Sequence, residues 1–197
     1  MSPKIIIGIG TGRCGSQSLS ELISSQLETV AFHEMYWSSR GCTFRQKYPM
    51  SNILDNSFPK LYVSYLKSIV KKFNNHADFI FDIGPYTKSC IDEVNKSFSN
   101  VKYIVLKRDF ESFDLSMKKI NKFNKHNILF DKRILPFKSN LEYYNYIYDK
   151  GTLNLNNSFI LKTEDLNSED KIKDLLDFLE YKNPIAKICN KDETRNL

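Results

Sequence analysis

The segment GIGTGRCGSQSL, residues 8–19, directly follows the apolar run KIIIGI at Lys4–Ile9. A β-branched run that feeds a glycine-rich turn and then a helix reads as the opening unit of a parallel α/β sheet. Such a turn aims several backbone N–H groups and the positive end of a helix at one point, which makes an anion site. Gly10, Gly12 and Gly15 satisfy G-x-G-x-x-G, and Gly10 to Gly15 also has the G-x-x-x-x-G spacing of a phosphate loop. Neither pattern is complete. Ser16 and Gln17 stand where a nucleoside-triphosphatase has Lys and then Ser or Thr, so triphosphate hydrolysis is disfavoured. A dinucleotide turn gains little from Arg13, because backbone groups hold its pyrophosphate. Cys14 does not read as a phosphatase nucleophile, since Ser20 rather than Arg stands six residues on. What remains is a phosphate cradle with a cation, Arg13, inside it and two hydroxyls, Ser16 and Ser18, at the helix start. The plain alternative is a glycine turn with N-capping serines. Three glycines, an arginine and the strand–helix context favour the anion site.

The rest of the chain repeats the alternation. Strands are expected at Lys4–Ile9, Thr29–His33, Asp78–Ile83, Val101–Lys107 and Ser158–Lys162, with helical spacing between them. Helices separating strands imply parallel pairing with right-handed crossovers, and near-continuous apolar runs such as IIIGI and YIVL suit strands covered on both faces. The fold class is therefore α/β: a doubly wound, five-stranded parallel sheet with helices on both faces. Helices are expected from about Ser16 to Gln26, from Pro59 to Phe73, and from near Ser168 with Ile172, Leu175, Leu176 and Leu179 inward. Tyr36–Ser57 reads as a long loop. In SNLEYYNYIYDKG, Ser139 and Glu142 have capping-box spacing and Gly151 reads as the stop. The tyrosines there suit core packing or a substrate cleft, and packing is the commoner use. No internal repeat stands out. The whole of residues 1–197 reads as one domain, with insertions on the acceptor side at about 36–58 and 123–150.

Composition closes off several classes. At 197 residues the chain is long enough to bury a core without disulfides or a structural metal. Its net charge is +6, from 29 basic and 23 acidic residues. Only six of the basic residues are Arg, and the Lys is scattered, so charge alone does not argue for nucleic acid. No apolar run approaches the ~20 residues of a membrane span. Ile5 to Ile9, interrupted by Gly8, is too short for a secretory leader. Cys14, Cys42, Cys90 and Cys189 lie far apart, without a CxxC pair or clustered His, which predicts neither zinc nor disulfides and fits a cytoplasmic protein. His76 and His126 sit in polar contexts and read as surface residues.

A second cationic site follows the fourth strand. Arg108 lies at its carboxyl end, where ligands of doubly wound sheets bind, and Ser116 lies about two turns into the next helix. Taken alone, an Arg108–Asp109 surface pair and a helix serine would explain these residues. Together with Arg13-Cys14-Gly15-Ser16, the pattern resembles the sulfotransferases that use 3′-phosphoadenosine 5′-phosphosulfate (PAPS). A weaker similarity is Leu161-Lys-Thr-Glu-Asp-Leu166, which resembles that family's acidic stretch before its last core helix. The resemblance implies a P-loop, nucleotide-kinase-like strand order of 2-3-1-4-5. It implies that Gly12, Arg13, Cys14, Gly15, Ser16, Gln17 and Ser18 hold the 5′-phosphosulfate, and that Arg108 and Ser116 hold the 3′-phosphate. Three features depart from the family. The tail IAKICNKDETRNL lacks its Arg-bearing loop, with Lys187, Lys191 or Arg195 as possible substitutes. Asp82-Ile83-Gly84-Pro85-Tyr86 keeps an acid but has Ile where carbohydrate-acting members often have Lys. The chain is also short.

The implied reaction moves a sulfuryl group to an acceptor hydroxyl, on a carbohydrate or a small molecule, by in-line displacement. Charge grows on the leaving phosphate oxygen, where Arg13 and the loop N–H groups would stabilise it. No metal is required, since PAPS has no β,γ-phosphates to bridge. The candidate bases are Glu34 and, close behind it, His33, at the end of the second strand. Neighbours on an extended chain face opposite ways, so only one is expected to reach the acceptor. Against these roles, His33 reads as a hydrogen-bonded edge residue and Glu34 as a helix-capping acid. Rival readings are an NAD(P)-binding Rossmann-type oxidoreductase using Gly10, Gly12, Gly15 and Glu34, a nucleotide kinase, and a degenerate member that binds nucleotide without transfer. The oxidoreductase leaves Arg108 and Ser116 without a role, and the kinase lacks its Lys.

Overall fold

A computed structural model describes residues 2–35, 56–123 and 137–185. Most of the expected loop at 36–57, residues 124–136 of the second insertion, Cys42, His126, Cys189 and the basic tail residues lie outside them. Five strands form a single sheet: β1 Lys4–Ile9, β2 Thr29–His33, β3 Phe79–Ile83, β4 Val101–Lys107 and β5 Ser158–Lys162. Every pairing is parallel, in the order β2-β3-β1-β4-β5. The expected order holds, and only the start of the third strand moves, by one residue. Its consequence is functional. β1 lies between β3 and β4, so the loop after β1 emerges beside the ends of both.

The helices are α1 Ser16–Ser24, α2 Phe58–Phe73, α3 Ile91–Ser97, α4 Phe110–Phe123, α5 Asn140–Ile147, the single turn α6 Lys150–Leu153, and α7 Glu169–Leu179. Short 3-10 turns at Thr87–Cys90 and Thr163–Asn167 lead into α3 and α7. Strand alternation sorts the core into two layers. Ile5, Ile7, Ile9, Tyr103 and Val105 face α2 to α5, meeting Tyr62, Leu66, Phe113, Tyr143 and Ile147. Ile6, Phe81, Ile104, Leu106 and Leu161 face α1 and α7, meeting Leu19, Leu22, Ile172, Leu175 and Leu176. Both faces of β1 are therefore dry, which is why its sequence is almost unbroken isoleucine.

The segment with capping-box spacing departs from expectation at its end. Ser139 Oγ accepts the Glu142 N–H at 3.1 Å, but the Glu142 carboxylate takes the N–H of Lys138, one residue outside the cap. Gly151 is not the stop. α5 ends at Ile147, and Asp149 starts a new turn by accepting the Thr152 N–H at 2.8 Å, with Gly151 inside it. An Asp at a cap position competes well against a glycine stop two residues later.

Candidate active site

The loop after β1 owes its shape to close approaches. A Cβ at Gly10 would lie 2.7 Å from Cys14 Sγ and 2.9 Å from the Leu106 carbonyl oxygen. Only glycine lets the loop rest on β4 in this way. Arg13 and Gly15 both adopt left-handed backbone, with φ of 70° and 89°. Gly15 is the N-cap of α1, whose start has no side-chain cap and no acidic residue in its first turn. Ser16 and Ser18 lie inside the helix, past its N-cap, and its positive end meets no acidic side chain from its own first turn. Among the described residues, nothing lies within 4 Å of where a Cβ at Gly12 would stand. Gln17 runs along α1 and donates to Glu21 at 3.1 Å.

Groups from the 3-10 turn after β5 and from α5 with its C-cap hold the loop and the end of β4. Thr163 donates its hydroxyl to the Cys14 carbonyl at 2.8 Å. Tyr148 accepts the Thr11 N–H at 3.2 Å and donates to the Leu106 carbonyl at 2.7 Å, bridging β4 and the loop. The Gly12 N–H is directed at the Tyr143 oxygen. Tyr144 donates to the Arg108 carbonyl at 2.6 Å. Burial pushes the Cys14 thiol up to about 12, despite the N–H groups of its own residue and Ser16 beside it. A thiol held protonated is no nucleophile.

The two cationic positions come together. Arg108 Nη1 donates to the Arg13 carbonyl oxygen at 2.8 Å, and Arg13 Nε donates to Ser116 Oγ at 3.3 Å. Arg13, Arg108 and Ser116 thus meet at the carboxyl ends of β1 and β4, although they are far apart in sequence. Asp109 caps α4 by accepting the Ser112 N–H at 2.8 Å; that bond and the Ser112 hydroxyl, with the charge of Arg108 beside it, hold its carboxyl below the usual range.

At the end of β2, His33 Nε2 lies 2.9 Å from Ser16 Oγ, which places the imidazole at the start of α1. Glu34 is not part of the strand. Its backbone is left-handed, with φ of 56°, and its side chain is buried. The alternation argument for choosing between His33 and Glu34 therefore does not apply, because the chain turns between them. Glu34 lies within electrostatic reach of Asp82 on β3 and Tyr143 on α5. Asp82 is fully buried, accepting from the Met35 N–H at 2.9 Å, Tyr62 Oη at 3.0 Å and Tyr86 Oη at 2.9 Å. Burial pushes its carboxyl up to about 6, against the lowering effect of those three donors. His76 is exposed, as expected. Among the described residues, no three His, Cys, Asp or Glu side chains gather as a metal site, and no helix is long and apolar enough to cross a membrane.

Sequence reasoning missed the support of this site. Tyr143, Tyr144 and Tyr148 read as packing residues. They do pack, but the Tyr148 hydroxyl also holds the loop and the Tyr144 hydroxyl holds the end of β4. Thr163 lies in the LKTEDL stretch, which carried a signal for the region but none for the bond to Cys14.

The architecture agrees with comparisons to other proteins. The model of the sulfotransferase domain family matches residues 5–192, nearly the whole chain. No curated protein sequence matches significantly. A sulfotransferase from Alicyclobacillus acidocaldarius shares the fold with a TM-score of 0.55 at 12% identity, over 95% of this chain and 85% of that one. The sulfotransferase domain from the curacin biosynthetic pathway gives 0.52 at 15% identity, over 94% and 76%. A sugar kinase from Janibacter sp. HTCC2649 gives 0.54 at 11% identity, over 91% and 96%, so the architecture extends to phosphoryl-transfer enzymes. A match over that span to one family, on a 2-3-1-4-5 sheet, settles the affiliation: the chain belongs to the sulfotransferase domain family.

Proposed function

We propose that this protein transfers the sulfuryl group of PAPS to an acceptor hydroxyl, on a carbohydrate or a small molecule, by in-line displacement. The observation that carries the reading is the convergence of Arg13, Arg108 and Ser116 at the carboxyl ends of β1 and β4, beside the start of α1. Two separated phosphates on one adenylate need two cationic groups a short distance apart, and a dinucleotide site has no use for the second. In this reading the 5′-phosphosulfate lies against Gly12 to Ser18. Arg13 meets the charge that grows on the leaving oxygen, as preorganised donors do without reorganising. Arg108 and Ser116 take the 3′-phosphate, and Arg108 keeps further N–H groups for it beyond the one on the Arg13 carbonyl.

The acceptor's proton goes to a base. Glu34 is the better candidate, because His33 already engages Ser16 and is suited to orienting that hydroxyl at the donor. The chain acts as one domain, in the cytoplasm, with residues about 36–58 and 123–150 on the acceptor side. Neither nucleic acid nor a metal has a part in the reaction.

Titration of the wild type with adenosine 3′,5′-bisphosphate, adenosine 5′-phosphate, NAD and NADP tests the nucleotide. The bisphosphate is expected to bind best, and preference for NAD or NADP would overturn the reading. Arg108→Ala is expected to weaken the bisphosphate about 10- to 100-fold, the loss of a charged hydrogen bond worth roughly 1.5–3 kcal/mol. The 5′-phosphate should lose much less, through loosening of the loop alone. Equal losses would remove Arg108 from the 3′-phosphate.

A further inference from the structure

We propose that Asp82 is a positioning residue for Glu34, its buried carboxylate fixing the turn that carries Glu34 out of β2. This rests on the reading of Glu34 as the base. A glutamate with φ of 56° occupies a region that L-residues enter at a cost, so something outside it must hold it there. Two consecutive residues at the end of β3 supply the restraints. The Ile83 carbonyl accepts the Glu34 N–H at 2.8 Å, and Asp82 Oδ1 accepts the Met35 N–H at 2.9 Å. The two bonds bracket the Glu34 α-carbon and fix its backbone on both sides.

The carboxylate does more than terminate a strand. A buried charge is costly, and an apolar side chain would fill the same space at less expense. Here it is retained and supplied with two tyrosine hydroxyls besides the N–H: Tyr62 from α2 and Tyr86 from the turn after β3. Those hydroxyls occupy Oδ2 and leave Oδ1 to Met35. Among the described residues, Tyr62, Tyr86 and Cys90 lie near Asp82, Tyr143 lies near Glu34, and His33 stands beside it in the chain. Protonation of Asp82 therefore changes the charge next to Glu34.

Asp82→Asn tests the proposal on the full chain. The Met35 amide is expected to exchange faster, while adenosine 3′,5′-bisphosphate binds as in the wild type. Hydrolysis of PAPS alone, with water as acceptor and therefore no need of an identified one, should slow about tenfold or more, as small misplacements of a reacting group do. Its pH profile should also lose the acid limb near the Asp82 value of about 6. A purely structural Asp82 would lower the melting temperature and leave rate and profile alone, and that result overturns the proposal. If Asp82→Asn does not fold, Tyr86→Phe carries the test. It keeps the Met35 bond but removes a donor, so the acid limb must move to higher pH, and an unmoved limb overturns the proposal. Full hydrolytic activity in Glu34→Gln would instead remove Glu34 as base, a separate failure that Asp82→Asn does not mimic.

Discussion

Arg13 is a charged residue in left-handed backbone, with its carbonyl held by one neighbour and its guanidinium by another. That arrangement fixes both ends of one residue, as a preorganised electrostatic group requires. Glu34 has the same left-handed backbone and a buried side chain. Glu34→Gln keeps the shape and removes the base, so transfer from PAPS should fall by about 10²–10⁴, the usual weight of a general base. Affinity for adenosine 3′,5′-bisphosphate should not change, and a fully active variant would move the base elsewhere. Arg13, Arg108 and Ser116 were legible in the sequence because their spacing follows strand ends. The turn at Glu34 was not. Nothing in VAFHEM marks a left-handed residue, and the restraint comes from Asp82 and Ile83, about fifty positions away in the chain. Asp82 was noticed only as an acid after the third strand. Its burial depends on Tyr62 and Tyr86 arriving from other elements, which no local pattern encodes.

At the level of elements, apolar runs located all five strands, most clearly β1, β3 and β4, which are covered on both faces and leave nearly unbroken runs. The helix after residue 139 was harder to read. α5 is short and rich in tyrosine, so its pattern reports burial and hides its hydrogen bonds. Tyr148 joins the loop to β4, accepting from Thr11 and donating to Leu106. Tyr148→Phe leaves a buried N–H and carbonyl without their partner, which costs on the order of 1–3 kcal/mol. At about 2–4 °C per kcal/mol for a chain this long, the melting temperature should drop by several degrees. Bisphosphate affinity should fall as well, since the loop loses an anchor. Tyr181→Phe is the control. Its hydroxyl accepts from Thr29 at the opposite end of the sheet, 3.0 Å away, so stability should fall while affinity holds. Equal effects on affinity would mean that α5 acts on the fold as a whole and has no local hold on the loop.

Over the whole molecule, the two ends of the sheet carry opposite kinds of carboxylate. At the carboxyl end, Asp82 is buried and pushed up to about 6 from an ordinary 3.8. At the amino end, Glu180 is half exposed and bonded by Lys102 at 2.8 Å and Lys4 at 2.5 Å; those bonds and charges hold it at about 2, from an ordinary 4.5. Linkage assigns them opposite signs. A raised acid binds its proton more tightly when folded, so the Asp82 contribution is complete below pH 3.8 and is lost as pH rises through about 6. A lowered acid does the reverse: the Glu180 contribution is complete above pH 4.5 and is lost as pH falls toward about 2. Thermal melts across this range should therefore separate the ends. Glu180→Gln should flatten the fall in melting temperature on the acid side, and added salt should reproduce part of that effect because the pair is exposed. Asp82→Asn should flatten the decline between pH 4 and pH 6 and leave the acid side unchanged. A decline above pH 4 that survives Asp82→Asn would place its origin elsewhere. Loss of that decline together with loss of turnover would mean that the charge which costs the fold stability at neutral pH is the one that holds the base in place.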